Sequence, residues 1–130
     1  MSEDEIGKEV VDSAVRIHRE LGPGLLETVY EVVLAYELRR RGLQVERQVV
    51  IPLDYHGLKF DEAFRADLVI ENKVIVELKC VEQISNAHKK QLLTYLRLTD
   101  MRLGYLLNFG EALMKNGITR IAHRLPEPTS

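Results

Sequence analysis

Two carboxylates and a lysine interrupt an otherwise core-like stretch of this chain. It runs Arg65-Ala66-Asp67-Leu68-Val69-Ile70, then Glu71-Asn72-Lys73, then Val74-Ile75-Val76-Glu77-Leu78-Lys79-Cys80-Val81. Two apolar, β-branched runs about a polar turn are a hairpin signal. Burying an unpaired charge in a strand costs several kcal/mol or forces a pKa shift, so Asp67, Glu77 and Lys79 need a reason to be there. Alternation puts Glu77 and Lys79 on one face and Val76, Leu78 and Cys80 on the other. A hairpin brings Asp67 beside Glu77 and Lys79. Two converging carboxylates suit a hard cation such as Mg²⁺, with the Leu78 carbonyl as a third oxygen. A lysine on the same face could orient or help deprotonate a water, or stabilise charge on a phosphate. The bland alternative is a cross-strand ion pair on a solvated face, worth about 0.2–1 kcal/mol. On these three residues alone, both readings stay open.

Two helical segments add candidates. Glu27 opens a helix just after Gly22-Pro23-Gly24, with Tyr30 and Glu31 at i+3 and i+4. An acid there also simply favours the helix dipole. Further on, His88, Gln91 and Tyr95 form one helical stripe that could hold a phosphate or a water, or could be an ordinary polar face. Lys89 and Lys90 are candidate phosphate contacts, as are Arg39, Arg40 and Arg41. The arginine run also compensates a helix C-terminus.

These residues need elements to position them. Ile6, Val10, Ala14, Ile17 and Leu21 recur at helical spacing over Glu5–Leu21. A second helix runs from about Leu25 to Arg41 on Val29, Val33, Tyr36 and Leu38, with Gly42 as its C′ residue. Leu43–Leu53 is a strand with Val45, Val49 and Ile51 on one face, and Pro52 near its end marks a strand end or an edge strand. Lys59–Glu62 is ambiguous and is counted as a further strand before the hairpin. Ser85 caps a third helix, about Asn86–Thr99, whose Leu92, Leu93 and Leu96 face the core. Strands at Leu103–Phe109 and Ile118–Leu125 flank a connection at Gly110–Gly117. The order is α-α-β-β-β-β-α-β-β, a mixed α/β (α+β) layer structure in which the third helix crosses over the sheet. Residues 1–125 form one domain and 126–130 a loose tail.

Composition limits the function. At 130 residues, 45% apolar and 29% charged, the chain supports one core. A net charge of −2 argues against bulk electrostatic capture of nucleic acid or membrane, though not against a local basic patch. The single cysteine, Cys80, reads as a buried reduced thiol in a cytoplasmic protein. No signal peptide and no run long enough to span a bilayer are expected. His18 reads as a helix-face histidine or as one supporting the site from behind, His56 and His123 as surface residues. No zinc pairing or nucleotide-binding glycine motif is present.

Taken together, Gly24-x-x-Glu27-x-x-Tyr30, Asp67 with Glu77-x-Lys79, and Gln91-x-x-x-Tyr95 resemble the GxxExxY family of the PD-(D/E)XK nuclease superfamily. The likeness runs from Ile17 to Ile121. It implies a restriction-endonuclease-like α-β-β-β-α-β core, with the site at one edge of a mixed sheet flanked by helices. It implies that Asp67 and Glu77 ligate Mg²⁺ or Mn²⁺, completed by Glu27, often through water, and that Lys79 is the catalytic lysine. Gln91 and Tyr95 match the motif that positions substrate; Tyr30 is a signature residue without a specified role. Ala66 stands where the superfamily name has proline, which the chemistry does not require. The function implied is metal-dependent hydrolysis of nucleic acid, DNA above all. The alternative is a non-catalytic module on the same fold that binds nucleic acid or a protein. One small domain with one site would need a homodimer or a partner to grip duplex DNA.

Overall fold

The computed structural model describes residues 1–126; of the tail expected at 126–130, residues 127–130 lie outside the described residues. Helix α1 spans Glu3–Leu21 and α2 spans Glu27–Arg40. Strands β1 (Val45–Tyr55), β2 (Leu58–Ile70) and β3 (Val74–Lys79) follow, then α3 (Asn86–Thr99), β4 (Leu103–Asn108), a 3₁₀ turn (Met114–Asn116) and β5 (Ile118–Ala122). The five strands form one sheet in sequence order. Among the described residues only β3 and β4 are parallel, and α3 makes the connection between them. The other neighbours are antiparallel, so the sheet is mixed.

Local chemistry explains the boundaries. Ser2 and Glu5 form a capping box on α1, and Ser85 caps α3 as expected. Gly42, at φ 90°, ends α2. Its N–H donates to the Arg39 carbonyl and that of Leu43 to the Leu38 carbonyl, a Schellman ending.

The sheet separates two cores. α1 and α2 pack on one face around Ile6, Val10, Tyr30, Leu34, Leu38, Leu68, Val76 and Leu78. α3 packs on the other, with Leu92 and Leu96 against Phe64, Ala66, Val69, Ile75 and Leu106.

Four expectations need correction. Lys59–Glu62 is not a separate strand: it is continuous with the hairpin strand in β2, so three strands precede α3. Its pairing with β1 decides this, because its own residues carry no alternating apolar pattern. Val45 does not share a face with Val49 and Ile51. It packs under α1 and α2, whereas they pack under α3. Gln48 between them has φ 53°, which turns the strand over. Val29 and Tyr36 point outward from α2, whose buried stripe is Tyr30, Glu31, Leu34, Ala35 and Leu38. Cys80 is exposed, because β3 ends at Lys79 and alternation ends with it.

Candidate metal and active site

β2 and β3 pair from Ile70↔Val74 to Leu68↔Val76 and then separate. The next two residues are Asp67 and Glu77, and their side chains take over from the ladder. The Leu78 N–H donates to Asp67 Oδ2 at 2.9 Å, and the Asp67 N–H donates to Glu77 Oε2 at 3.3 Å. The fork therefore holds the two carboxylates side by side at the strand ends.

Glu77 is buried, and its Oε1 is a buried polar atom without a hydrogen-bond partner among the described residues. Burial pushes its carboxyl up to about 9, and the neighbouring Asp67 adds to the shift. An orphaned carboxylate oxygen next to a second carboxylate is a donor set that a cation would satisfy. Two hard oxygen donors fit Mg²⁺ or Mn²⁺, ions that keep several waters and need few protein ligands. Among the described residues, no three His, Cys, Asp or Glu side chains gather into a metal cluster. Asp67 and Glu77 are the two carboxylates that the fork holds together directly.

Lys79 ends β3 half-buried on the same face as Glu77. Its charge favours the ionised forms of Glu77 and Glu27. The Phe109 N–H holds the Lys79 carbonyl at 2.9 Å. Asn108, fully buried, pins the following turn. Its Oδ1 accepts from Val81 N–H and Gly110 N–H, each at 3.0 Å, and its Nδ2 donates to the Val81 carbonyl at 2.8 Å. A Cβ on Gly110 would lie 2.5 Å from the Val81 carbonyl oxygen, so this close approach requires glycine.

Glu27 stands exposed in the first turn of α2. Lost hydration raises its pKa, and the Asp67 charge raises it further. Its helix start is set by Tyr30, three residues on. The Tyr30 hydroxyl donates to the Gly22 carbonyl at 2.5 Å and accepts from Leu25 N–H at 3.1 Å, while its ring stacks on Phe109 at 4.4 Å. Tyr30 is therefore a structural lock on the turn before Glu27.

Tyr95 reaches the site from α3. Its ring stacks on Phe64 at 3.7 Å, and burial, then the charges of Glu77 and Asp67, push its hydroxyl up. Gln91 lies one turn earlier on α3 and is exposed, as are Lys89 and Lys90. His88 leaves the expected stripe for the helix cap, where its Nδ1 accepts from Ser85 N–H at 3.1 Å. The arginine run is engaged elsewhere. Arg39 donates to the Val45 carbonyl, Arg40 pairs with Glu37, and Arg41 pairs with Glu9 and Glu37. Arg39 stands about 18 Å along α2 from Glu27.

One member of the site did not stand out in the sequence. Glu31, buried on α2, accepts two hydrogen bonds from Arg47 at 2.8 and 3.0 Å. Gln48 Nε2 donates to Glu31 Oε1 at 2.8 Å and to Asp67 Oδ1 at 3.3 Å. The positive φ at Gln48 turns this amide between the two acids. The available signal was position: Glu31 shares the helix stripe of Leu34, Ala35 and Leu38, and an acid there must find a partner.

A family model described as the PD-(D/E)XK nuclease superfamily matches residues 4–121, and the chain belongs to that superfamily. It is also similar to the crystal structure of SSO0001, at 18% identity and a TM-score of 0.45, over 93% of this chain and 67% of that one. No curated protein matches the chain. Among the described residues, no helix is long and apolar enough to cross a membrane.

Proposed function

We propose that this chain is a metal-dependent nuclease of the GxxExxY type that hydrolyses phosphodiester bonds in nucleic acid, with DNA as substrate. The observation that carries the reading is Glu77: a buried carboxylate with one unpartnered oxygen beside Asp67 at a strand fork. Asp67 and Glu77 would hold Mg²⁺ or Mn²⁺. The cation, when bound, supplies Lewis acidity to the scissile phosphate and to the attacking water. Lys79 orients that water for in-line attack and offsets charge developing on the phosphate. Glu27, across from Lys79, completes the metal surroundings through water. Tyr95, held by Phe64, and Gln91 on the same helix face position the substrate. Lys89 and Lys90 are suited to backbone phosphates near the site. Arg39, Arg40 and Arg41 would meet a duplex only beyond it.

Lys79 supports this reading over a plain ion-pair network. Among the described residues it forms no salt bridge with Asp67, Glu77 or Glu27, so its ammonium is free for substrate. The reading puts the activity in the cytoplasm, where an exposed Cys80 thiol stays reduced. The test is incubation of single-stranded DNA, duplex DNA and RNA with Mg²⁺ or Mn²⁺, beside Lys79→Ala and Asp67→Ala. Metal-dependent cleavage of DNA that both substitutions abolish is expected. Cleavage that survives both, or none under either metal, overturns the reading.

A further inference from the structure

Arg47 has no part in the reaction as drawn so far. It stands on β1 just before Gln48, and its Nε and Nη2 both donate to Glu31 Oε2, at 3.0 and 2.8 Å. A guanidinium carries five N–H donors in a fixed plane. Two serve Glu31. Among the described residues the other three, both on Nη1 and the second on Nη2, meet no acceptor. The Arg47 side chain is 34% exposed, whereas that of Glu31 is 7% exposed. One edge of the guanidinium is thus anchored in the fold and the opposite edge faces water. An ion pair that served burial alone could be replaced by apolar side chains at little cost. A cation held by one edge with its other edge open has the form of a preset anion clamp, because its rotamer is already fixed.

The clamp is tied to the fork. Glu31 Oε1 accepts from Gln48 Nε2 at 2.8 Å, and the same amide reaches Asp67 Oδ1 at 3.3 Å. One carboxylate and one amide therefore connect the guanidinium to the first metal-site acid. Helix α2 gives the same neighbourhood. Glu27 and Glu31 are one turn apart on one side of the helix, roughly 6 Å between Cβ atoms. Arg47 lies beside Glu31 as Lys79 lies near Glu27. That step is close to the spacing of neighbouring phosphates along an extended strand.

We propose that Arg47 binds the phosphate next to the scissile one in a nucleic-acid strand, an inference that rests on the nuclease reading and adds a second contact to it. With the scissile phosphate over Asp67 and Glu77, the free Nη1 and Nη2 edge takes two oxygens of the neighbouring phosphate. Glu31 fixes where that edge stands, so the contact sets which phosphate lies over the fork. It also offsets the repulsion that Glu27, Asp67 and Glu77 exert on a polyanion. No base is touched, so the contact is indifferent to sequence.

The test is fluorescence anisotropy of a labelled single-stranded DNA in Mg²⁺ across a salt series. Every protein carries Lys79→Ala, and a gel confirms that the strand stays whole. Arg47→Met should weaken binding about 10-fold and flatten the salt dependence by about 0.7 in log–log slope, the loss of one phosphate contact. It should also lower stability, because Glu31 is left without its cation. Adding Glu31→Gln should restore stability in denaturant unfolding and leave affinity and slope at the Arg47→Met values. Affinity that returns with stability in the double variant, or a slope that Arg47→Met does not change, overturns the proposal, as does a parent protein that does not bind the strand. Cleavage by the chain with Lys79 intact reports separately on the nuclease reading. An active enzyme whose strand affinity ignores Arg47 loses only this contact, and an inactive protein that binds through Arg47 loses only the nuclease reading.

Discussion

Asp67 and Glu77 hold each other in place through the backbone: the Asp67 N–H donates to Glu77 Oε2, and the N–H after Glu77 donates to Asp67 Oδ2. The β-ladder ends there because side-chain oxygens have replaced backbone carbonyls as acceptors. The same replacement brings two carboxylates together away from water. The strain of that pairing is electrostatic, and it is read most directly from Glu77.

The Glu77 carboxyl is raised from 4.5 to about 9, first by burial and then by Asp67. Between those values the metal-free folded protein keeps a proton that the unfolded chain has released. Stability therefore falls as pH rises through this window, since the native state binds more protons. Denaturant unfolding in chelator should show a loss on the order of 1–2 kcal/mol between about pH 6 and pH 8. Glu77→Gln should flatten that slope. A wild-type slope of zero or of opposite sign would contradict the assignment.

Gln48 bridges Glu31 and Asp67 with one amide group. Gln48→Leu leaves Glu31 Oε1 short of a donor and lets Asp67 rotate. A stability loss of about 1–3 kcal/mol is expected, together with a roughly 10- to 100-fold fall in Mn²⁺ affinity. Unfolding curves and a metal titration measure the two separately. An unchanged affinity would show that Asp67 needs no support from Gln48.

Tyr30→Phe removes one hydroxyl that serves both Gly22 and Leu25 and keeps the stacking on Phe109. The expected cost is about 1–3 kcal/mol. Amide exchange should rise at Leu25 and in the first turn of α2 and stay unchanged in β3 and β4. Uniform acceleration across the chain would mean that the hydroxyl does not act locally.

Asn108→Leu would leave the N–H groups of Val81 and Gly110 without their acceptor. A loss of about 2–4 kcal/mol is expected, with the turn after Lys79 loosened. Cleavage should fall further than the unfolded fraction accounts for, because the end of β3 that carries Lys79 is no longer held. Activity that tracks only the folded fraction would confine Asn108 to stability.

The hairpin at Arg65–Val81 was legible because turn chemistry and β-branched runs agree there. Ser85 and Gly42 were legible as caps because their chemistry is local. The convergence of Asp67 with Glu77 followed from the hairpin register. The Glu31–Gln48 link did not, since it depends on a left-handed residue inside a strand and on a helix packed across it. Cys80 was misplaced by extending alternation past the last strand residue. Val29 and Tyr36 were misread because α2 is apolar on both sides, and periodicity does not say which side faces inward.

The central claim is that Asp67 and Glu77 form a divalent-cation site, and Mn²⁺ titration followed by electron paramagnetic resonance tests it without reference to any substrate. The wild type should bind Mn²⁺ at a single site. Asp67→Asn and Glu77→Gln should each lose that site while remaining folded, Glu77→Gln with greater stability than the wild type at alkaline pH in chelator. Mn²⁺ binding that is absent from the wild type, or that persists unchanged in both variants, would contradict the account.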